Sequence, residues 1–293
     1  MNTRGYVLVT PAHNEADYIS RTMASVLSQR VLPEKWIIVN DRSTDATSHV
    51  VRQNLGSASF IELVERNCEQ PAPELNPKVL AFKDGLARLQ DIDYAFIGNL
   101  DADIELPPDY YATLLGLFAT EPQLGICGGA LLERNGENLV RRYGDSAGHV
   151  PGAIQLFRRT CFEQVNGFYP ARHAGEDTVM EFMARMHGWE VRSFQDLMVV
   201  HLRTTGATSG GGLRYRFRDG LRDYANGNHP LYELAKCVRR IGQMPPFIGS
   251  AGILAGYCWG YLSKVTRPPH DVVRHVRKEQ LQRLTETVFG GDS

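Results

Sequence analysis

Cysteine is scarce and unpaired in this 293-residue chain: Cys68, Cys127, Cys161, Cys237 and Cys258 stand far apart, with no C-x-x-C pair. An odd set of scattered thiols argues against a disulfide framework and a cysteine-type zinc site, and it suits a reducing compartment. Glycine-rich nucleotide signatures are missing too. No G-x-G-x-x-G follows the first apolar run and no G-x-x-x-x-G-K-[ST] occurs, so dinucleotide and P-loop sites have little support. Only a short apolar run precedes Thr10-Pro11, too short for a signal peptide, and a cytoplasmic protein is expected. With a formal net charge of -1, no nucleic-acid partner is expected.

What is present is the composition of a soluble globular protein, 43% hydrophobic and 22% charged. Charge is unevenly placed. Up to His201 there are 18 Lys+Arg against 26 Asp+Glu; from Leu202 onward there are 14 against 7. An acidic first part joined to a basic tail suggests an anionic partner for the tail.

The stretch from Phe96 to Asp109 organises the chain. Tyr94 to Leu100 reads as a short buried strand that delivers Asp101 and Asp103, after which Pro107-Pro108 ends the strand and opens a helix. Residues two apart in an extended chain face the same side. Two such anions repel unless a cation or hydrogen-bond donors compensate them, which suits a Mg²⁺- or Mn²⁺-type ion holding a diphosphate. Taken alone, the stretch is equally an aspartate-rich turn with capping carboxylates.

The surroundings favour the site. Tyr6 to Val9 reads as a first strand, ending in Thr10-Pro11-Ala12-His13-Asn14-Glu15; Asn14 is placed to cap a helix over Glu15 to Gln29 with Ile19, Met23, Val26 and Leu27 on one face. Trp36 to Val39 is a second strand, ending in Asn40 to Asp45. Ser59 to Leu63 is a weaker third, and a helix over Lys78 to Leu89 leads back to the organising strand. Strand, polar loop and helix in repetition give an α/β fold with a parallel sheet, whose ligands sit beyond the carboxyl ends of the strands. Three polar clusters, at Thr10 to Glu15, Asp41 to Asp45 and Asp101 to Asp103, converge there on one edge as a binding cleft.

The set VTPAHNE, IVNDRSTDAT, NLDADIELPPDYY and GEDTVMEFMARMHGWEV, in this order over about the first 200 residues, resembles the family 2 glycosyltransferases, inverting enzymes of the GT-A nucleotide-diphospho-sugar transferase fold. The resemblance implies a nucleoside-diphosphate-sugar donor, a Mn²⁺ or Mg²⁺ cofactor and a glycan or lipid-linked acceptor. It places Pro11, Ala12 and Glu15 at the nucleotide turn and Asp41 as the acceptor of a hydrogen bond from the base. Asp101, Ala102 and Asp103 match the D-x-D segment, with Asp103 bound through the metal to the diphosphate. Lys78 belongs to an altered form of the family's Gly-Lys segment, and Arg42 stands where glycine is common. Asp177 matches the catalytic base, although an aspartate opening a helix also serves as a cap. A non-catalytic nucleotide-sugar-binding protein of the same fold is the alternative; intact Asp41, Asp101, Asp103 and Asp177 weigh against it.

Three further features belong to this picture. Gly152 to Arg159 reads as a strand returning to the sheet, with Arg158 and Arg159 either on phosphate or ion-paired at the surface. Val199 to Arg203 is another strand, and the resemblance makes its His201 a metal ligand. Ser209 to Gly212, followed by Arg214, Arg216 and Arg218, reads as a hinge and lid over the diphosphate or as an exposed linker. The Q-x-x-R-W of processive synthases is absent nearby.

Residues 1–205 are thus expected to form the transferase domain and 206–293 a lid and helical extension. In the extension, Phe247 to Leu262 is sixteen residues without a charge. As a helix it spans about 24 Å against a hydrocarbon core of roughly 30 Å. A buried core helix, a monotopic membrane hairpin and a true span all fit, with its length against the last. Peripheral contact with the inner face of the cell membrane and a homodimer contact are both open to this tail. A final amphipathic helix is expected over Asp271 to Thr287.

Overall fold

The computed structural model describes residues 5–67, 74–135, 138–141, 147–203, 212–242 and 247–289. Cys68 and the Ser209–Gly211 part of the expected hinge lie outside them. The chain opens with β1 (Tyr6–Ala12), α1 (Ile19–Leu27), β2 (Lys35–Asp41), α2 (Thr47–Asn54), β3 (Ile61–Arg66), α3 (Pro77–Leu86) and β4 (Phe96–Asn99). Each of these strands pairs parallel to its neighbour, β2 lying between β3 and β1 and β1 between β2 and β4. Tyr6, Val7, Leu8, Val9 and Thr10 are fully buried, as a central parallel strand covered on both faces requires.

After β4 the sheet becomes mixed. A two-residue strand β5 (Ile104–Glu105), α4 (Tyr110–Thr120), β6 (Leu124–Asn135) and β7 (Asn138–Arg141) are followed by a 3₁₀ turn over Gly152–Ile154. Then come β8 (Leu156–Arg158), α5 (Arg159–Gln164), α6 (Glu176–Met186) and β9 (Glu190–His201). The strand order is β3-β2-β1-β4-β8-β6-β9-β5, with β7 on β6, and one sheet holds all nine described strands. Helices cover both faces over two apolar clusters, one around Leu8, Ile38 and Tyr110 and the other around Val9, Ile37 and Phe157.

Several elements differ from the sequence expectation. The first helix begins at Ile19 rather than Glu15, because Asn14 takes a left-handed φ of 57° and Glu15 to Tyr18 close a turn. Asn14 does not cap it; its Oδ1 accepts from the Thr44 N–H at 2.8 Å. Leu27 is exposed rather than on the buried face. The third strand starts later, at Ile61. The segment from Gly152 to Arg159 is a turn, a three-residue antiparallel strand and a helix start, not one strand.

The last third is helical: α7 (Leu213–Ala225), α8 (Pro230–Arg239), α9 (Ile248–Leu262) and α10 (His270–Phe289). α9 takes in all but the first residue of the sixteen-residue apolar stretch, and it packs along α7 so closely that their backbones touch. A Cβ at Gly220 would overlap the carbonyl of Ile253, and one at Gly256 would overlap that of Phe217. One face of α9 is therefore a core face, while the other remains exposed. No described helix is long and apolar enough to cross a membrane.

Candidate active site

The carboxyl ends of β1, β2 and β4 bring the three polar clusters to one edge. Pro11 and Ala12 close β1, in register with Val39 and Asn40 of β2, and Asp41 is the last residue of β2. Asp41 sits in a fork of two arginines: Oδ1 accepts from Arg42 Nε at 2.7 Å and from an Arg66 terminal nitrogen at 2.8 Å, and Oδ2 accepts from Arg42 at 2.9 Å. Burial pushes its carboxyl up, but the hydrogen bonds and charges of Arg42 and Arg66 win and hold it below the ordinary range. Two lone pairs on each oxygen leave Oδ2 one to spare for a further donor. Arg42 is itself set by a left-handed φ of 56°.

Asp101, Ala102 and Asp103 form the turn between β4 and β5. Their backbone is anchored: the Asp101 N–H donates to Ala153 O at 2.9 Å, and the buried Thr22 hydroxyl donates to Ala102 O at 2.7 Å while accepting from the Ile104 N–H at 3.1 Å. The two carboxylates have separate partners. Lys78, in the first turn of α3, lies 2.8 Å from Asp101 Oδ1 and 3.4 Å from Glu176. Asn76 caps that helix through the Lys78 N–H and reaches Glu176 at 3.2 Å, tying the start of α3 to the start of α6. Burial opposes the charge of Lys78, yet the charges of Asp101 and Glu176 outweigh it and raise its pKa.

Asp103 faces the other way. Pairing of Ile104 with His201 in the β5–β9 ladder puts His201 Nε2 3.1 Å from Asp103 Oδ2. Arg203 Nε lies 3.4 Å from the same oxygen; its guanidinium also pairs with Glu15 and stacks over Tyr18 at 5.0 Å. Burial pushes Asp103 up, but His201 and Arg203 together hold it below the ordinary carboxylate range. His201 is displaced the opposite way: burial lowers it, and the hydrogen bond and charge of Asp103 raise it overall. Glu15 is pushed up to about 7 by burial, then by the Asp103 charge, with Arg203 opposing.

These residues fit a divalent cation of the kind the fold implies. Ligands about 2.1 Å from an octahedral ion stand about 3.0 Å apart at adjacent corners, close to the 3.1 Å between Asp103 and His201. Among the described residues no three His, Cys, Asp or Glu side chains make a metal group by themselves.

Asp177, second in α6, faces the loop before β8. Its Oδ2 accepts from the Gly152 N–H at 3.1 Å and its Oδ1 from the Thr178 N–H at 2.7 Å. Burial raises its pKa, while the His149 charge, the Thr178 N–H and the Lys78 and Arg222 charges pull it down to a net lowering. One turn on, buried Glu181 accepts from the Val150 N–H at 2.7 Å and lies 3.0 Å from His149 Nδ1. That fastens the loop carrying Gly152 to the helix carrying Asp177.

Arg158 and Arg159 do not join the site. Arg158 donates to the carbonyls of Phe118, Glu121 and Leu124 and stacks on Phe96 and Phe118, while Arg159 pairs with Glu163 and lies over Tyr94. Sequence reasoning missed Arg66, Thr22 and His149, which belong to no recognisable motif, and gave no role to Glu181, which lies inside the segment that opens at Gly175. Arg203 had one signal, its place two residues beyond His201.

A mixed sheet with three polar strand ends, an Asp-Ala-Asp turn and a helix-opening aspartate defines a GT-A fold. The family model "Glycosyl transferase family 2" matches residues 7–176, more than half of the chain, and the chain belongs to that family. Poly-beta-1,6-N-acetyl-D-glucosamine synthase of Staphylococcus aureus (strain MSSA476) is 23% identical over 245 residues, 78% of this chain and 55% of the relative. The synthase of Staphylococcus epidermidis is 21% identical over 206 residues, 64% of this chain and 47% of the relative. The chain thus spans about half the length of these relatives. Among solved structures, mannosyltransferase PcManGT from Pyrobaculum calidifontis, in complex with GDP-Man and Mn²⁺, aligns with a TM-score of 0.59 at 16% identity, over 100% of this chain and 89% of that one. Staphylococcus aureus TarS 1-349 with UDP-GlcNAc aligns at 0.53 and 15% identity, over 74% and 65%.

Proposed function

We propose that this protein transfers a hexose, with inversion, from a nucleoside-diphosphate sugar to an acceptor hydroxyl in cell-surface glycan assembly at the cytoplasmic side of the membrane. The observation that carries this is the convergence of Asp103 with His201 and of Lys78 with Asp101 beside Asp177, in a family 2 chain. The curated relatives are named as synthases of a polysaccharide, and the solved neighbours hold GDP-mannose with Mn²⁺ or UDP-GlcNAc. Residues 1–205 would be the transferase domain and 206–293 its extension.

In this reading Pro11, Ala12, Glu15 and Asp41 line the nucleoside side, with the spare lone pair of Asp41 taking an N–H of the base. Asp103 and His201 would hold Mn²⁺ or Mg²⁺, which when bound neutralises the charge collecting on the departing diphosphate. Arg203 would exchange its bond to Asp103 for the diphosphate, a change of partner for a cation already at the right place. Asp177, kept ionised by its surroundings, would accept the proton of the attacking hydroxyl. Gly152 would hold Oδ2 still while Oδ1, which also accepts from the Thr178 N–H, would meet the acceptor.

Thermal-shift measurement with UDP-, GDP- and dTDP-sugars, with and without Mn²⁺, tests the donor site, because a ligand that binds only the native state raises its apparent stability. Stabilisation by at least one of them, greater with Mn²⁺, together with slow donor hydrolysis, is expected. A protein that none of these donors stabilises would overturn the assignment.

A further inference from the structure

The outer faces of α8 and α9 are apolar and have nothing packed on them among the described residues. α8 turns Glu233 and Cys237 inward and leaves Leu231, Leu234 and Val238 outside, the last 62% exposed. α9 carries no charged residue; with its glycine face spent on α7, Ile248, Trp259 and Leu262 lie on its exposed flank, exposed by 57%, 53% and 76%. The two stripes are joined. Ser250 Oγ donates to Cys237 O at 2.9 Å and the Phe247 N–H to Ile241 O at 2.9 Å, which sets Val238 and Ile241 beside Phe247 and Ile248. Scattered apolar residues on a surface need no explanation, but a joined face of this kind marks a contact.

The charge around the face has one sign. From Leu231 to Arg267 the only acidic residue is Glu233, which is buried and lies 3.6 Å from Lys236. Arg239 and Lys264 stand exposed at the two ends of the face, with Arg240 beside the first. We propose that this α8–α9 face rests on an anionic lipid bilayer, with both helices lying in the interface plane. Apolar side chains with a basic rim are what such a surface selects. A second copy of the chain is a poorer occupant, since a two-fold contact through this face would bring the like-charged rims together.

The placement has a consequence for the cleft. α9 and then α7 lie between the face and α6: Asn226, just beyond α7, accepts from the Gly175 N–H at 2.8 Å, two residues before Asp177. Two helix layers, α9 and α7, about 20 Å together, then lie between the docked face and the proposed base, a reach that an acceptor hydroxyl carried on a lipid headgroup would have to span. That acceptor rests on the proposed transfer reaction; the docking itself does not.

The test is co-sedimentation of the full chain with phosphatidylcholine vesicles, with and without phosphatidylglycerol, at low and high salt. Binding only to the anionic vesicles, weakened by salt, is expected. It should fall about tenfold or more in R239E/K264E, which reverses the rim and leaves the packing alone. V238D and W259D, both on the exposed face, should lose binding while keeping wild-type helicity. Absence of binding to anionic vesicles, or binding untouched by all of these substitutions, would overturn the proposal. A concentration-dependent dimer abolished by V238D, without vesicle binding, would instead assign the face to a second copy. Donor thermal shift on the same preparations reports the transferase reading separately, so either can fail alone.

Discussion

The backbone N–H of Gly152 donates to Oδ2 of Asp177 across 3.1 Å, and nothing larger than glycine fits there: an added Cβ would stand 2.9 Å from that oxygen. The loop and the helix that carry the pair are bound a second time through Val150 and Glu181. Asp177 therefore has Oδ2 held by Gly152 and Oδ1 by the Thr178 N–H, and a fixed orientation.

The first prediction follows from that orientation. Asp177→Asn should leave donor binding within a few fold and cut transfer by about 10²–10⁴, the usual range for a lost general base. Gly152→Ala should displace the carboxylate and lower kcat by about tenfold with the donor KM little changed. Single-turnover transfer alongside donor thermal shift checks both. Wild-type transfer by the Asn variant would return Asp177 to helix capping.

Asp103 shares one oxygen between His201 and Arg203. Asp103→Asn should abolish the Mn²⁺-dependent part of donor binding while leaving the fold intact. Arg203→Ala should act oppositely on the free protein, tightening Mn²⁺ binding without donor by roughly three- to tenfold, because a competing cation is gone. Calorimetric titration with Mn²⁺ alone separates the two, and equal affinity in wild type and Arg203→Ala would contradict the competition.

Glu233 gives a pH signature away from the cleft. Burial, then the Asp223 charge, push it from 4.5 up to about 7, with Lys236 opposing. Its folded pKa lies above its unfolded one, so the folded state binds the extra proton between those values. Stability contributed by this group is therefore present at pH 4.5 and lost as pH rises through about 7. Glu233→Gln should flatten the fall in Tm over that window. An unchanged pH profile would show that Glu233 does not set it.

The α7–α9 contact predicts sensitivity to a single methyl group. Gly256→Ala places a Cβ on the Phe217 carbonyl, where two backbones must move apart, and should destabilise by about 1–3 kcal/mol. Urea unfolding measures it. A loss below a few tenths would mean that the helices are not in backbone contact.

The sequence made the parallel half of the sheet legible, because β1, β2 and β4 are apolar runs ending in polar clusters. It was silent on β6, whose Gly125, Gly128 and Gly129 break the look of a strand; Gly125 and Gly128 instead face Trp189 and Val150 at close range. β9 was seen only at its apolar end, Val199 to His201, since its earlier part is polar and half-exposed. Asp101, Asp103 and Asp177 were found as motif residues. Their partners include Arg203 at Asp103 and the Gly152 N–H at Asp177, which come from distant segments that only the folded chain brings together. For Arg158 the sequence left phosphate contact and surface ion pairing both open, and the fold uses it otherwise, to satisfy three carbonyls between the end of α4 and the start of β6.

The β5–β9 pairing ties the cation pair to the completion of the fold. Asp103 and His201 are 98 positions apart and meet only because a two-residue strand takes β9 as its neighbour in one register. Contacts of such sequence separation form late, after loop-closure entropy has been overcome. A chain still emerging during synthesis, or one that has lost its last strand, holds Asp103 without its imidazole. On the proposed reading, such a chain would lack the pair that holds the cation, so the strand that closes the sheet would also guard against metal and donor use by a half-made chain.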